Sequence, residues 1–360
     1  MTAPPVTDPT LWRDRLWEAV SEGDERTATH VVLGALDEDW DPESVLLDLI
    51  APVQGRIGQE WAANRMTVAQ EHAATAINDR AIAALTLRHP PEDTPERGRI
   101  TVACVDGEWH ALPARLVAEV LRLRGWRVDY LGAQVPTDHL IAHVHQTGPV
   151  TVALSSSIAT RLPVAHAAIT AVQATGTPVL VGGAAFGPRG RYARLLGADA
   201  WAADARTAAD RLAGDRLGRP ASPHQPIDDL PHLADQEYTM VARTRPQLVR
   251  TVIQGLEERF PAMGGYSPAQ RSRTAEDVDH IVHFLATALY TDDAELFTGF
   301  LTWTADVLTA RAVPSHSLTP ALDVLSEELK DFPRATRILE RAAAVLAPGP
   351  GSALDSRNHA

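Results

Sequence analysis

Between residues 97 and 216 the chain alternates between two periods. "RITVACVD", "RVDYLG", "VTVALSS", "TPVLVGG" and "ADAWAADA" are short runs of β-branched and small residues. Between them lie segments with apolar residues three and four apart, such as "ALPARLVAEVLRLRG" and "VPTDHLIAHVHQTG". A strand that is followed by a helix must be carried back across the sheet before the next strand begins. The strands therefore run parallel, with helices covering the faces. This predicts a five-stranded, flavodoxin-like (Rossmann-like) α/β domain over 97–216. In such a sheet the ligand crevice lies beyond the carboxyl ends of strands one and three.

Both flanks read as helical. Over 8–92, "PTLWRDRLWEAVSEG", "DERTATHVVLGALDEDW", "DPESVLLDLIAPVQGRIGQEWAAN" and "TVAQEHAATAINDRAIAAL" each carry an apolar face. Four short-linked amphipathic helices predict a four-helix bundle. Asp41-Pro42 marks a helix start, and Thr67 with Gln70 forms a capping-box pattern. Residues 217–238 are rich in Pro, Asp and His and lack a period, so a linker is expected there. Residues 239–347 are helical again, and a disordered tail is expected over 348–360.

Composition excludes several functions. A net charge of −13 argues against a binder of phosphate backbones. The single cysteine, Cys104, rules out an intrachain disulfide and a cysteine-based metal cluster, and it fits a reducing compartment. No run of 18 apolar residues exists, and the N-terminus lacks the apolar segment of a signal peptide. A cytoplasmic protein without membrane contact is expected.

Three constellations carry chemistry. His110 follows the first strand directly in "CVDGEWHALP", where a side chain points into the crevice. Glu108, two residues upstream, is placed to accept the other ring N–H and fix the tautomer, with Trp109 between them. A loop histidine without a ligand is the plainer reading. Ser155 to Ser157 end the third strand with hydroxyls, and Gly182 and Gly183 end the fourth, leaving room beside the backbone. Together these describe a deep slot for a flat or extended ligand. The second set is Trp61 with Val68, Glu71 and His72, the last three related by i, i+3 and i+4 on one face of a helix start. A core tryptophan and a surface Glu-His pair is its plainer reading. The third set lies in the C-terminal helices: Asp279, His280 and His283, with Tyr266 and Trp303 as aromatic partners and Arg273 among several arginines. A bundle core explains each aromatic. Two histidines one turn apart are also placed to ligate a metal or haem, or to hydrogen-bond a tetrapyrrole, with arginines for its propionates.

The α/β segment resembles the cobalamin-binding domain of methionine synthase, mutases and corrinoid proteins. That family carries D-x-H-x-x-G, then S-x-L, then G-G. Here the positions read Glu108-Trp109-His110-Ala111-Leu112-Pro113, Ser155-Ser156-Ser157 and Gly182-Gly183. The resemblance implies that His110 is the lower cobalt ligand and that the nucleotide tail threads between sheet and helix. Pro113 for Gly and Ser157 for Leu are departures in the tail slot. The spacing W-x₉-E-H from Trp61 to Glu71-His72 resembles the capping bundle of CarH-type photoreceptors. It implies that Trp61, Val68, Glu71 and His72 surround the adenosyl group of adenosylcobalamin. Some relatives have a histidine directly after the tryptophan, able to take cobalt after photolysis. Ala62 stands there, which leaves open whether His72 replaces the lost ligand. Those photoreceptors also carry a DNA-binding winged helix-turn-helix before the bundle; this chain begins at the bundle, and no direct DNA binding is expected. The domain order resembles the photocobilins. That implies a globin-like C-terminal domain holding biliverdin, and because Cys104 lies in a strand of the α/β domain, non-covalent attachment is expected. The expected function is a light-responsive sensor, not an enzyme, signalling to a separate effector protein or through self-association. A corrinoid carrier for methyl transfer and a haem-binding, globin-like sensor are the alternatives.

Overall fold

The computed structural model describes residues 8–89, 97–214, 217–218, 220, 229–259, 261–311 and 313–347. The chain divides into two compact units, Met1–Asp229 and Leu230–Ala360.

The first unit opens with helices. α1 (Pro9–Glu22) is capped by Asp8 and has Pro at its start, and α2 (Glu25–Asp37) is capped by Asp24. Asp41 caps α3 (Pro42–Ser44), which runs on through a π-helical stretch, Val45–Ile50, into α4 (Ala51–Ala62). Val45, Leu46, Leu49 and Ile50 of the π stretch are buried, so its wider turn packs these side chains inward. Asn64 in the left-handed region (φ 57°) ends α4, the conformation that asparagine tolerates best after glycine. Thr67 then starts α5 (Val68–Arg88) with a complete capping box to Gln70.

The α/β part contains β1 (Arg99–Cys104), α6 (Ala111–Leu123), β2 (Arg127–Gly132), α7 (Thr137–Thr147), β3 (Thr151–Ser155), α8 (Leu162–Ala174), β4 (Val179–Gly182), α9 (Arg191–Leu195), β5 (Ala200–Ala202) and α10 (Ala205–Ala213). All strand pairs are parallel, in the order β2-β1-β3-β4-β5. The order reverses between β1 and β3, and there the crevice opens. β1 and β3 are buried almost throughout, as a sheet covered on both faces requires.

One apolar cluster joins the helical region to the α/β part. α6 packs against α5 and the π stretch. Ion pairs fasten the same seam. Arg124 donates to Glu43 at 2.7 and 2.8 Å and also to Asp210, while Arg206 donates to Asp48 at 3.0 Å and to Glu43 at 3.3 Å.

The second unit is helical: α11 (Glu237–Arg259), α12 (Pro268–Thr291), α13 (Ala294–Ala310), α14 (Thr319–Glu328) and α15 (Pro333–Leu346). Its core is a separate apolar cluster, with Phe297, Leu301, Leu285 and Leu325 fully buried. Of the linker expected over 217–238, residues 219 and 221–228 lie outside the described residues. Pro231–Asp235 form a helical turn, and α11 begins at Glu237. The tail expected over 348–360 also lies outside the described residues. Among the described residues, no helix is long and apolar enough to cross a membrane.

Candidate functional site

After β1, Val105 N–H donates to Ser155 O at 3.1 Å, extending the β1–β3 seam by one residue. The chain then turns through Gly107 at φ +73°, where a Cβ would stand 2.8 Å from the Arg161 guanidinium. The turn delivers Glu108 into the sheet end with no exposed surface. One carboxylate oxygen accepts from the His110 backbone N–H (2.9 Å) and from His110 Nδ1 (2.7 Å). The other accepts from Ser157 N–H (2.7 Å), Ile158 N–H (3.0 Å) and the Ser156 hydroxyl (3.3 Å). Burial alone would push this carboxyl up. The bonds from His110, Ser157 and Ile158 outweigh it and hold the group down at about 2. An ionised carboxylate has no proton to donate, so Nδ1 of His110 carries the hydrogen, and in the neutral ring the lone pair is on Nε2. The His110 side chain remains 38% exposed.

The slot beside this histidine is apolar. A cavity of about 200 Å³ lies between α6 and the ends of β3, β4 and β5, and is lined by Pro113, Ala114, Leu180, Gly182 and Ala205 among others. Leu47 and Ala51 close it from the helical region, and Ser155 lies on its edge. Gly183 sits at φ +101°, and a Cβ there would fall 2.2 Å from Ser156 O. That oxygen is fixed by Ala185 N–H, and Ser156 N–H is in turn fixed on Gly182 O, both at 3.1 Å. Gly183→Ala is therefore expected to destabilise the first unit by roughly 2–4 kcal/mol. Gly197→Ala, also at positive φ but with nothing within 4 Å of the added Cβ, is expected to cost only about 1–2 kcal/mol. Thermal denaturation of the two variants checks this, and equal costs would refute the close approach.

Trp109 joins the two halves of the unit. Its ring centroid is 4.5 Å from that of His110 and 5.5 Å from that of His72 on α5. Trp109 is 47% exposed. His72 Nδ1 lies 2.6 Å from a Glu71 oxygen, so this ring too is held through Nδ1. Trp61 stands half-buried at the end of α4, and Val68 is 56% exposed in the first turn of α5. The structure thus groups Glu71, His72, Trp109, His110 and Glu108 in one connected set.

One partner, Ile158, was not singled out by sequence. Ser155, Ser156 and Ser157 were expected to offer hydroxyls to the crevice. Ser157 instead uses its backbone N–H, the neighbouring Ser156 supplies the hydroxyl, and Ile158 adds a second N–H. A run of small polar residues after a parallel strand is the signal for such a cradle. Pro113, noted as a departure from the family pattern, lines the slot. Cys104 is buried, and burial together with the Glu108 charge pushes its thiol up to about 12, so it is an inert group.

The second unit places its candidates differently. Asp279 is paired with Arg245 at 3.2 Å. His280 and Arg273 are exposed, and His283 is half-buried. Tyr266 packs on the unit's core. Phe284 of α12 stacks on Phe300 of α13 with centroids 3.7 Å apart, and Trp303, 46% exposed, follows at 6.3 Å from Phe300. Among the described residues no group of three or more His, Cys, Asp or Glu is arranged to hold a metal ion.

A histidine buttressed by a buried carboxylate and set beside an apolar slot fits a corrinoid cofactor. Residues 12–86 and 98–213 each match a family described as B12 binding domain. The HTH-type transcriptional repressor CarA of Myxococcus xanthus is 31% identical over 189 residues, which are 51% of this chain and 62% of CarA. The HTH-type transcriptional repressor CarH of the same organism is 30% identical over 182 residues, 48% of this chain and 58% of CarH. The chain thus spans less than two thirds of either curated relative. The structure of the Methanosarcina barkeri monomethylamine corrinoid protein matches with a TM-score of 0.50 at 16% identity, covering 57% of this chain and 98% of that one. The first unit is thus a helical region followed by a five-stranded, parallel, Rossmann-like B12-binding domain.

Proposed function

We propose that the chain is a light-responsive sensor that holds adenosylcobalamin between the helical region and the α/β domain. The observation that carries this is the indole of Trp109, flanked by His110 of the sheet domain on one side and His72 of the helical region on the other. Adenosylcobalamin, when bound, supplies a cobalt–carbon bond that light breaks. His110, held through Nδ1 by Glu108, would offer Nε2 to the cobalt. The cavity along α6, with Gly182 and Gly183 at its wall, takes the nucleotide tail. Trp61, Val68, Glu71 and His72 cover the upper side, and His72 Nε2 is the candidate nitrogen there. Trp61, Val68, Glu71 and His72 would contact the adenosyl group and would lose those contacts without it. Such a difference is what a switch requires. In the second unit biliverdin is the proposed ligand, supported by the photocobilin resemblance and by the partly exposed Phe284–Phe300–Trp303 aromatics. The signal passes to a separate effector protein or into self-association.

The corrinoid carrier is the second reading, because the same fold serves a corrinoid protein along 98% of its length. Both readings are tested by absorption titration of the intact protein with adenosylcobalamin, methylcobalamin, biliverdin and haem, in darkness and then under green light. Dark binding of adenosylcobalamin and a light-altered spectrum are the expected result, together with biliverdin uptake. A cobalamin complex indifferent to light would favour the carrier. A haem Soret band without biliverdin uptake would favour a haem sensor. His110→Ala is expected to weaken cobalamin binding about 10- to 100-fold and to move its spectrum toward the form without a protein nitrogen ligand. An unchanged spectrum and affinity would remove His110 from the lower side.

A further inference from the structure

A polar chain runs from the buried Asn78 of the bundle out to the site. Asn78 on α5 has no exposed surface, and its Nδ2 donates to Gln54 Oε1 on α4 at 2.9 Å. Gln54 Nε2 donates to Thr75 Oγ1 at 2.8 Å. The Thr75 hydroxyl donates to Glu71 Oε1 at 3.1 Å. The other Glu71 oxygen meets His72 Nδ1 at 2.6 Å. Glu71, Thr75 and Asn78 are related by i, i+4 and i+7, so α5 presents them on one face toward Gln54. Every donor along the chain points the same way, toward a carboxylate, and such a series polarises each of its members. An apolar residue at 78 would pack among Ala74, Ile77, Ala81 and Ile82 without a partner to find. Asn78 instead leaves its own Oδ1 without a donor among the described groups. Stability alone gives no reason for this arrangement, whereas orientation of Glu71 does, since both its oxygens are then committed.

We infer that Thr75, Gln54 and Asn78 are positioning residues that set which upper ligand the site accepts. They fix the Glu71 carboxylate and, through it, the His72 ring, so that discrimination at the upper side depends on the bundle interior. The inference rests on the reading that this helical region covers the upper face of the cofactor.

The test is dark titration of the intact protein with adenosylcobalamin and with methylcobalamin, read by absorbance, using the ratio of the two Kd values. That ratio is insensitive to a uniform loss of folded protein. The native chain is expected to favour adenosylcobalamin. Thr75→Val keeps the side-chain shape and removes the donor; it is expected to reduce the ratio about tenfold while leaving methylcobalamin affinity near native. Thr75→Ser, which retains the hydroxyl, is expected to restore the ratio. Gln54→Met, which cuts the chain one step further in, is expected to act like Thr75→Val. Native-like ratios in Thr75→Val and Gln54→Met would overturn the relay while leaving the cap reading intact. Should Thr75→Val fail to fold, Gln54→Met decides alone, a native-like ratio overturning the relay. If the native protein binds both forms equally, the cap reading itself falls, and the relay with it.

Discussion

Glu108→Gln is expected to lower the stability of the first unit by about 3–5 kcal/mol at neutral pH. That corresponds to a fall in Tm of roughly 6–20 °C for a unit of this size. The reason is geometric. Donors approach both carboxylate oxygens, His110 on one side and Ser156, Ser157 and Ile158 on the other. An amide satisfies one side with its carbonyl and must turn its NH₂ against N–H groups on the other. The dependence on pH is a second signature. The folded carboxyl sits at about 2, below its ordinary 4.5. Its contribution is therefore complete above about pH 4.5 and is lost as pH falls toward 2, a change of ~3 kcal/mol. The native and Gln proteins should thus differ most near neutrality and converge in acid. Thermal melts of both across pH 7 to 3 check this; equal Tm at pH 7, or a gap independent of pH, would contradict it. The Gln side chain also no longer dictates which nitrogen of His110 carries the proton. Cobalamin affinity is accordingly expected to fall about 10- to 100-fold.

The half of this site that was readable from sequence is the local half. Glu108 and His110 are two residues apart, and a strand end followed by a helix start brings such a pair together. The sheet followed from the alternation of periods, and the start of α5 from Thr67 and Gln70, because both signals are confined to a few residues. The opposite side of Glu108 was not readable. Ser157 and Ile158 lie about 50 positions away and arrive only because β1 and β3 are neighbours at the point where the sheet reverses. The sequence suggested serine hydroxyls; Ser156 supplies one at 3.3 Å, but the shorter bonds come from backbone N–H groups that any residue carries. The contact of Trp109 with His72 is hidden for the same reason, since it depends on how α5 packs on α6. The π-helical turn at Val45–Ile50 is a backbone feature without a composition signal. In the second unit polarity misled. Asp235 and Glu237 fall in a stretch that reads as linker, because Pro, Asp and His without a period look solvated. Their partner lies about 100 residues downstream.

That partner is Arg334, and Arg334→Met is expected to destabilise the second unit by about 2–3 kcal/mol. Arg334 lies in the first turn of α15 and is 7% exposed. Its guanidinium donates to both oxygens of Asp235, at 2.5 and 2.8 Å, and to Leu289 O at 2.7 Å, with longer bonds to Asp292 and His232 O. The backbone N–H groups of Arg334 and Ala335 donate to the Glu237 carboxylate at 3.0 and 2.9 Å. Phe332 stands at the N-cap and supplies no side-chain bond, so Glu237 caps α15 across the fold. Methionine preserves much of the volume but satisfies none of these acceptors. Leu289 O is then left buried beside an apolar side chain, and Asp235 loses the hydrogen bonds that hold its carboxyl below the usual carboxylate range. The lowered Asp235 value means that its share of the stability is present at neutral pH and lost as pH falls. Lysine at 334 keeps a charge but not the planar fork, and is expected to recover less than half of the loss. Because the chain has two units, a single global transition is not a safe measure. Hydrogen exchange resolved by peptide is the suitable reading. Amides of α15 and of the turn around Leu289–Asp292 should lose protection in Arg334→Met, while those of α6 and α8 keep theirs. Native protection at α15, or an equal loss in both units, would show that the second unit does not hinge on this arginine.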